Sequence, residues 1–171
     1  MLDLSIVIIN YNTSNYTINC IESIFEHTSK ELNYNIKIVD NNSNKEDVVK
    51  LEKHIIALNN PKVTFLKNHI NVGFGGGNMI GCQFSDAEYY AFVNNDSVLF
   101  GRFFLEKINP KKYPKRKIEY NKPKKGQFVS GSFMVVKSED FWSVGGFDTN
   151  IFLYHEETDL CIRLAKIKKY A

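Results

Sequence analysis

The sequence predicts an α/β fold, a mostly parallel central sheet flanked by helices. Short, β-rich apolar runs recur at residues 4–9, 36–39, 63–66 and 89–93. Helical stripes separate them: Ile18, Ile21 and Phe25, then Val48, Leu51, Ile55 and Leu58. The first of these, 4–9, is a near-continuous apolar run rather than an alternating one, as expected of a parallel strand covered on both faces. Strands and helices in this alternation form βαβ units.

The first run, LSIVII at 4–9, is far short of the ~20 apolar residues of a membrane span and lacks a signal peptide's basic lead-in. It reads as a buried strand. The second strand stops at Asp40-Asn41-Asn42-Ser43, and the third runs into an Asn- and Gly-rich loop over 68–78. A short helix over 78–84 then leads to the fourth strand. Beyond Asn94 the pattern changes, because 107–125 carries nine Lys or Arg, one Glu and three prolines. This reads as a solvated loop, or as a segment that attracts pyrophosphate or an anionic lipid surface. Structure resumes at 128–136, and Ser138 is the expected N-cap of a helix that stops at Gly145-Gly146. The last helix begins near Glu156. Acids stand at its start (Glu156, Glu157, Asp159) and bases toward its end (Arg163, Lys166, Lys168, Lys169), matching the helix dipole.

A length of 171 residues suits one domain. With 43% hydrophobic and 24% charged residues the chain is globular in composition, and a net charge of +3 gives no reason to expect nucleic acid. Cys20, Cys82 and Cys161 have no CxxC spacing and fall in helical stretches. They read as core residues of a protein in a reducing, cytoplasmic compartment.

Ligands of parallel α/β sheets bind outside the carboxyl ends of the strands. Those ends here are Asn10-Tyr11-Asn12, Asp40-Asn41-Asn42, the 68–78 segment and Asn94-Asn95-Asp96-Ser97. Each alone is ordinary turn chemistry; four on one edge indicate a binding site. The glycines at 73–77 do not make a dinucleotide fingerprint, because Asn78 stands where a glycine is needed and the first strand is followed by Tyr-Asn-Thr-Ser. They suit either close backbone approach to a base or ribose, or an αL turn. The lone acid of Asn94-x-Asp96 suits Mg²⁺ or Mn²⁺ on a diphosphate, or else an Asx-turn. Of the acids at 156–159, Glu156 or Glu157 suits a general base, with dipole complementation as the other reading. Phe147, Phe152 and Tyr154 either wall a sugar ring or belong to the core.

These motifs, in this order, resemble the inverting glycosyltransferase family 2, particularly its rhamnosyltransferase-like branch. SIVIINYN at 5–12 is similar to the family's opening strand and VDNNSN at 39–44 to its second strand end. NHINVGFGGGN at 68–78 is similar to its N-x-G-rich loop, and NNDS at 94–97 to its DxD-type metal motif. GSFMVVKSEDFWSVGGFDTNIFLYHEETDLCIRL at 131–164 is similar to its signature through GGFD to the catalytic acid pair.

The resemblance implies a Rossmann-like GT-A fold in one domain. Residues 1–97 would bind the donor and 127–171 would carry the acceptor and catalytic part. Asp40 would hold the base or ribose of a UDP- or dTDP-sugar, with Tyr11, Asn12, Asn71 and Asn78 lining that pocket. Asn42, Gly73 and Asn95 fall within the same substrate-binding motifs. Asp96 would ligate Mg²⁺ or Mn²⁺, and Glu157 would be the base, with Glu156 as the alternative. Asn94 replaces the first DxD acid, and the base is Glu where Asp is commoner.

The implied activity is transfer to a saccharide or lipid-linked acceptor in cell-surface polysaccharide or glycoconjugate synthesis. A non-catalytic or truncated nucleotide-sugar binder is the alternative. The chain ends soon after its last helix, so slow transfer by the isolated chain is expected. Full activity is then expected to need a second copy, a partner subunit or a membrane-borne acceptor drawn to 107–125 at the inner face of the membrane.

Overall fold

The structure, a computed structural model, describes residues 1–99 and 132–167. The basic segment 107–125, residues 128–131 of the expected fifth strand, and Lys168 and Lys169 lie outside the described residues. In chain order the elements are β1 (Leu2–Asn10), α1 (Ser14–His27), β2 (Tyr34–Asp40), α2 (Lys45–Leu58) and β3 (Val63–Lys67). There follow α3 (Gly73–Gln83), β4 (Ala87–Asn94), β5 (Phe133–Lys137), α4 (Ser138–Ser143) and α5 (Glu156–Ile167).

The sheet order is β3-β2-β1-β4-β5, with β1 to β4 mutually parallel and β5 antiparallel to β4. Alternate residues of β1 face opposite layers, as the period of a strand requires. Leu4, Ile6 and Ile8 pack with Ile21, Ile24, Ile36, Ile38 and Leu51 on the side of α1 and α2. Val7 packs with Val39, Cys82, Phe92, Phe141, Phe147 and Leu160 on the side of α3, α4 and α5. Cys20 and Cys82 are buried, Cys161 is partly so, and all three are free thiols within helices. This is the core role expected of them.

Two local readings are corrected. The glycine-rich stretch is helix from Gly73 onward rather than loop up to Asn78. Glycine's poor helix propensity hides this in the sequence, and close packing explains it. A Cβ at Gly77 would lie 2.9 Å from Ile9 Cδ1, and one at Gly81 2.4 Å from Val7 Cγ1. The glycines therefore let α3 lie close against β1. Ser138 is not a cap but the first helical residue, preceded by Lys137 in extended conformation with no side-chain capping bond. Strand β5 runs straight into α4, so the position before the helix falls to the last strand residue.

Candidate active site

The chain steps outward from β1 to β3 and then returns to the other side of β1 as β4. The carboxyl ends of β1 and β4 therefore flank the topological switch point, where open α/β sheets bind ligands. Because β5 is antiparallel, its start reaches the same edge: Val93 pairs with Phe133, and Asn94 N–H donates to Ser132 O at 3.0 Å.

A polar chain crosses this edge. Asn95 Nδ2 donates to Thr13 Oγ1 (2.6 Å) and Thr17 Oγ1 (2.9 Å), and Thr17 donates to Asn10 Oδ1 at 2.7 Å. Asn10 is fully buried, and its Nδ2 reaches Asp40 Oδ1 at 2.9 Å and Asp47 Oδ2 at 2.8 Å. Asp40 is 1% exposed, and its Oδ2 accepts from Ser43 N–H at 3.0 Å. The carboxylate expected to meet a base is thus turned inward, holding the 40–44 turn. Burial works against the Asp47 carboxylate, but hydrogen bonds from Asn10 and Ser14 outweigh it and hold its pKa below the ordinary value.

On the outer side of this chain lie the other expected donor residues. Asn12 (φ 55°) accepts from Asn44 N–H and Nδ2, both at 2.8 Å, tying the β1–α1 turn to the β2–α2 turn. Tyr11 and Asn42 are exposed beside it, and Asp96 is exposed past the end of β4. Asn71 is half-buried and Asn78 fully buried, its Nδ2 donating to Phe74 O.

Sequence reasoning missed Asn41. This buried amide donates to Asn71 Oδ1 (2.7 Å) and Gly73 O (3.0 Å). It also accepts from Asn68 Nδ2 (3.0 Å) and Val72 N–H (3.1 Å), so one side chain anchors the whole entry to α3. Its only signal was its place directly after a strand, which also reads as a turn.

The two parts of the site meet at Gly73. With φ at +75°, a Cβ there would lie 2.1 Å from Phe152 O, and Phe74 N–H donates to that same oxygen at 3.0 Å. Gly73 therefore seats the segment leading to the acids, rather than offering its Cα to a ligand. Phe147 is core, while Phe152 and Tyr154 are exposed. Tyr154 (φ 67°) and His155 (φ 72°) are consecutive left-handed residues directly before α5. Such backbone is costly for non-glycine residues and gathers at functional sites.

Below this turn, Arg163 pairs with Asp159 and donates from Nη1 to Val144 O at 2.7 Å, and Asp159 N–H donates to His155 O at 2.9 Å. Asp159 and Arg163 thus fix the first turn of α5 against the end of α4. Glu156 and Glu157, which open that turn, line a cavity of about 230 Å³ with Phe74, Asn94, Ser132, Leu153 and Tyr154. Glu156 is 4% exposed. Burial chiefly, with the charge of Glu157, raises its pKa against the opposing pull of its own backbone N–H and His155. Glu157 is half-buried.

Among the described residues no group of three or more His, Cys, Asp or Glu could hold a metal ion. Asp96 is a single exposed carboxylate at the strand edge. That donor fits a hard cation only if a ligand's oxygens complete the shell.

A sheet with this switch point, an acid past β4 and a carboxylate pair facing the same edge define a GT-A glycosyltransferase fold. The chain belongs to glycosyl transferase family 2, whose family model matches residues 5–111. Over 62 residues it is 42% identical to the rhamnosyltransferase WbbL of Escherichia coli K12, covering 36% of this chain and 23% of that one. This bears out the rhamnosyltransferase-like resemblance.

Solved structures agree in fold. GalNAc-T7 with UDP, GalNAc and Mn²⁺ matches with a TM-score of 0.80 at 15% identity, over 96% of this chain and 40% of that one. The mannosyltransferase PcManGT of Pyrobaculum calidifontis with GDP-Man and Mn²⁺ matches at 0.76 and 12% identity, over 98% and 55%. S. aureus TarS 1–349 in complex with UDP matches at 0.73 and 13%, over 95% and 55%. The chain thus spans about half or less of the length of these proteins. Among the described residues no helix is long and apolar enough to cross a membrane.

Proposed function

We propose that the chain moves a sugar from a UDP- or dTDP-sugar to a hydroxyl of a saccharide or lipid-linked acceptor, with inversion at the anomeric carbon. The observation that carries this reading is the pair Glu156 and Glu157, lining one cavity with Asn94 at the end of β4. Glycosyltransferase neighbours with UDP or GDP-Man support a nucleotide-sugar donor.

Glu157 takes the acceptor proton as the oxygen attacks the anomeric carbon. The bond to the diphosphate breaks on the opposite face, and its electron pair leaves on the nucleoside diphosphate. When bound, Mg²⁺ or Mn²⁺ on Asp96 and the diphosphate oxygens would neutralise charge on the leaving group. The Asn41 and Asn12 networks shape the donor side, and Gly73 sets its spacing from the acids. One domain carries both parts, with 1–97 serving the donor and 127–171 the acceptor and catalysis. The nine Lys and Arg of 107–125 suit an anionic, membrane-borne acceptor at the cytoplasmic face in cell-surface polysaccharide synthesis.

The test is incubation with UDP-glucose, UDP-GlcNAc and dTDP-rhamnose plus Mn²⁺, with and without soluble saccharide acceptors. Nucleoside diphosphate release and product anomeric configuration are followed by NMR. Release with an inverted product is expected. Binding without any release would make the chain a non-catalytic binder.

A further inference from the structure

Glu156 is the most deeply buried of the acids at the start of α5 and lines the cavity, yet its Oε2 has no hydrogen-bond partner. Dipole complementation does not require this arrangement, because the more exposed Glu157 and Asp159 already serve the same helix end. Gly75 of α3 lies close beside the Glu156 side chain. A Cβ at Gly75 would lie 3.7 Å from Glu156 Cβ and 3.3 Å from Phe147 Cβ.

One turn along α3 from Gly75 stands Asn78, fully buried, whose Oδ1 is also without a partner. Of these two buried acceptors lacking a donor, Glu156 is the one that lines the cavity. An unpaired buried acceptor is costly, and a hydroxyl of a ligand entering the cavity would satisfy that of Glu156.

We infer that Glu156 reads the transferred sugar, its carboxyl hydrogen-bonded to one of the sugar's hydroxyls, while Glu157 handles the proton. This rests on the donor reading proposed above. A hydroxyl both donates and accepts, so the contact forms whether the raised-pKa carboxyl is ionised or neutral. Glu156 is then a specificity-determining residue, and its loss removes the sugar's share of affinity but not the nucleotide's.

The experiment is calorimetry with Mn²⁺ on wild type, Glu156→Gln and Glu156→Ala, each checked by thermal melt. Glu156→Leu replaces Glu156→Ala if the smaller side chain unfolds the protein. The probes are UDP, dTDP, UDP-glucose, UDP-GlcNAc and dTDP-rhamnose. Wild type is expected to bind one sugar nucleotide more tightly than its bare diphosphate. Glu156→Ala should erase that increment, about 10- to 100-fold, with diphosphate affinity unchanged. Glu156→Gln, which keeps an acceptor oxygen, should retain most of it.

An increment that survives Glu156→Ala overturns the inference, as does an equal loss for the bare diphosphates, or a wild type for which no sugar adds affinity. Absence of any nucleotide binding by wild type would overturn the donor reading itself, and this inference with it.

Discussion

Gly73→Ala tests whether the donor side and the acid-bearing segment act as one unit. The new Cβ would lie 2.1 Å from Phe152 O and 2.8 and 2.9 Å from its C and Cα, all backbone atoms that no rotamer change can move. The φ of +75° adds a left-handed alanine, which costs about 1–2 kcal/mol. Relief requires the Phe152 peptide to retreat by about an ångström. That breaks the hydrogen bond from Phe74 N–H, for a further ~1 kcal/mol. A loss of about 2–3 kcal/mol in urea unfolding is therefore expected.

The functional effect should exceed the stability effect. Phe152 is four residues before Glu156, so its retreat shifts the turn that aims both acids, and such a displacement can cost about 10²-fold in rate. Diphosphate affinity should fall less than turnover, because the Asn10 and Asn12 networks do not pass through Gly73 and only the Asn41 network reaches it. The assays are urea melts, calorimetry with UDP and dTDP, and turnover with the accepted donor. Wild-type stability and turnover in Gly73→Ala would refute the coupling.

Three further outcomes follow from the edge. Asp40→Ala removes one of the Asn10 amide's acceptors, leaving it Asp47 and Ser43, and strands the Ser43 N–H; it should cost about 1–3 kcal/mol in urea melts and weaken nucleotide binding through the 40–44 turn. Unchanged calorimetric affinity in the folded variant would remove Asp40 from the donor site. Asp47 has a folded pKa below its ordinary 3.8, so its stabilisation is present above that value and lost as pH falls through the folded one. Acid unfolding of Asp47→Asn should show a shallower slope in that window, and an identical slope would contradict the network. Mn²⁺ should bind weakly alone and more tightly with UDP or dTDP, and Asp96→Ala should abolish the gain. A titration in which the nucleotide makes no difference would refute the metal assignment.

The strands were legible because strands of a covered parallel sheet leave short, mostly apolar, β-rich runs, and β1 to β4 fall on those runs with ends extended by a few residues. The polar edge was legible too: three of the four runs stop abruptly in Asn or Asp, and the third does so one residue later, at Asn68 after Lys67. What the sequence hid was tertiary in cause. Helix α3 is built on glycines whose reasons are distant in sequence: Gly77 and Gly81 pack on Ile9 and Val7, more than sixty residues away, and Gly73 on Phe152. Asn41 reads as one more turn residue until its four partners are seen around it. Glu156 and Glu157 are chemically identical neighbours, and only burial and the unpaired Oε2 separate them.

The central claim is that Glu157 is the base, and Glu157→Gln tests it most directly. A general base contributes about 10²–10⁴ in rate, so kcat for transfer should fall by that factor while donor affinity by calorimetry stays at the wild-type value. Glu156→Gln should be milder in kcat. Near-normal turnover in Glu157→Gln, or a heavier kcat loss in Glu156→Gln, would contradict the account.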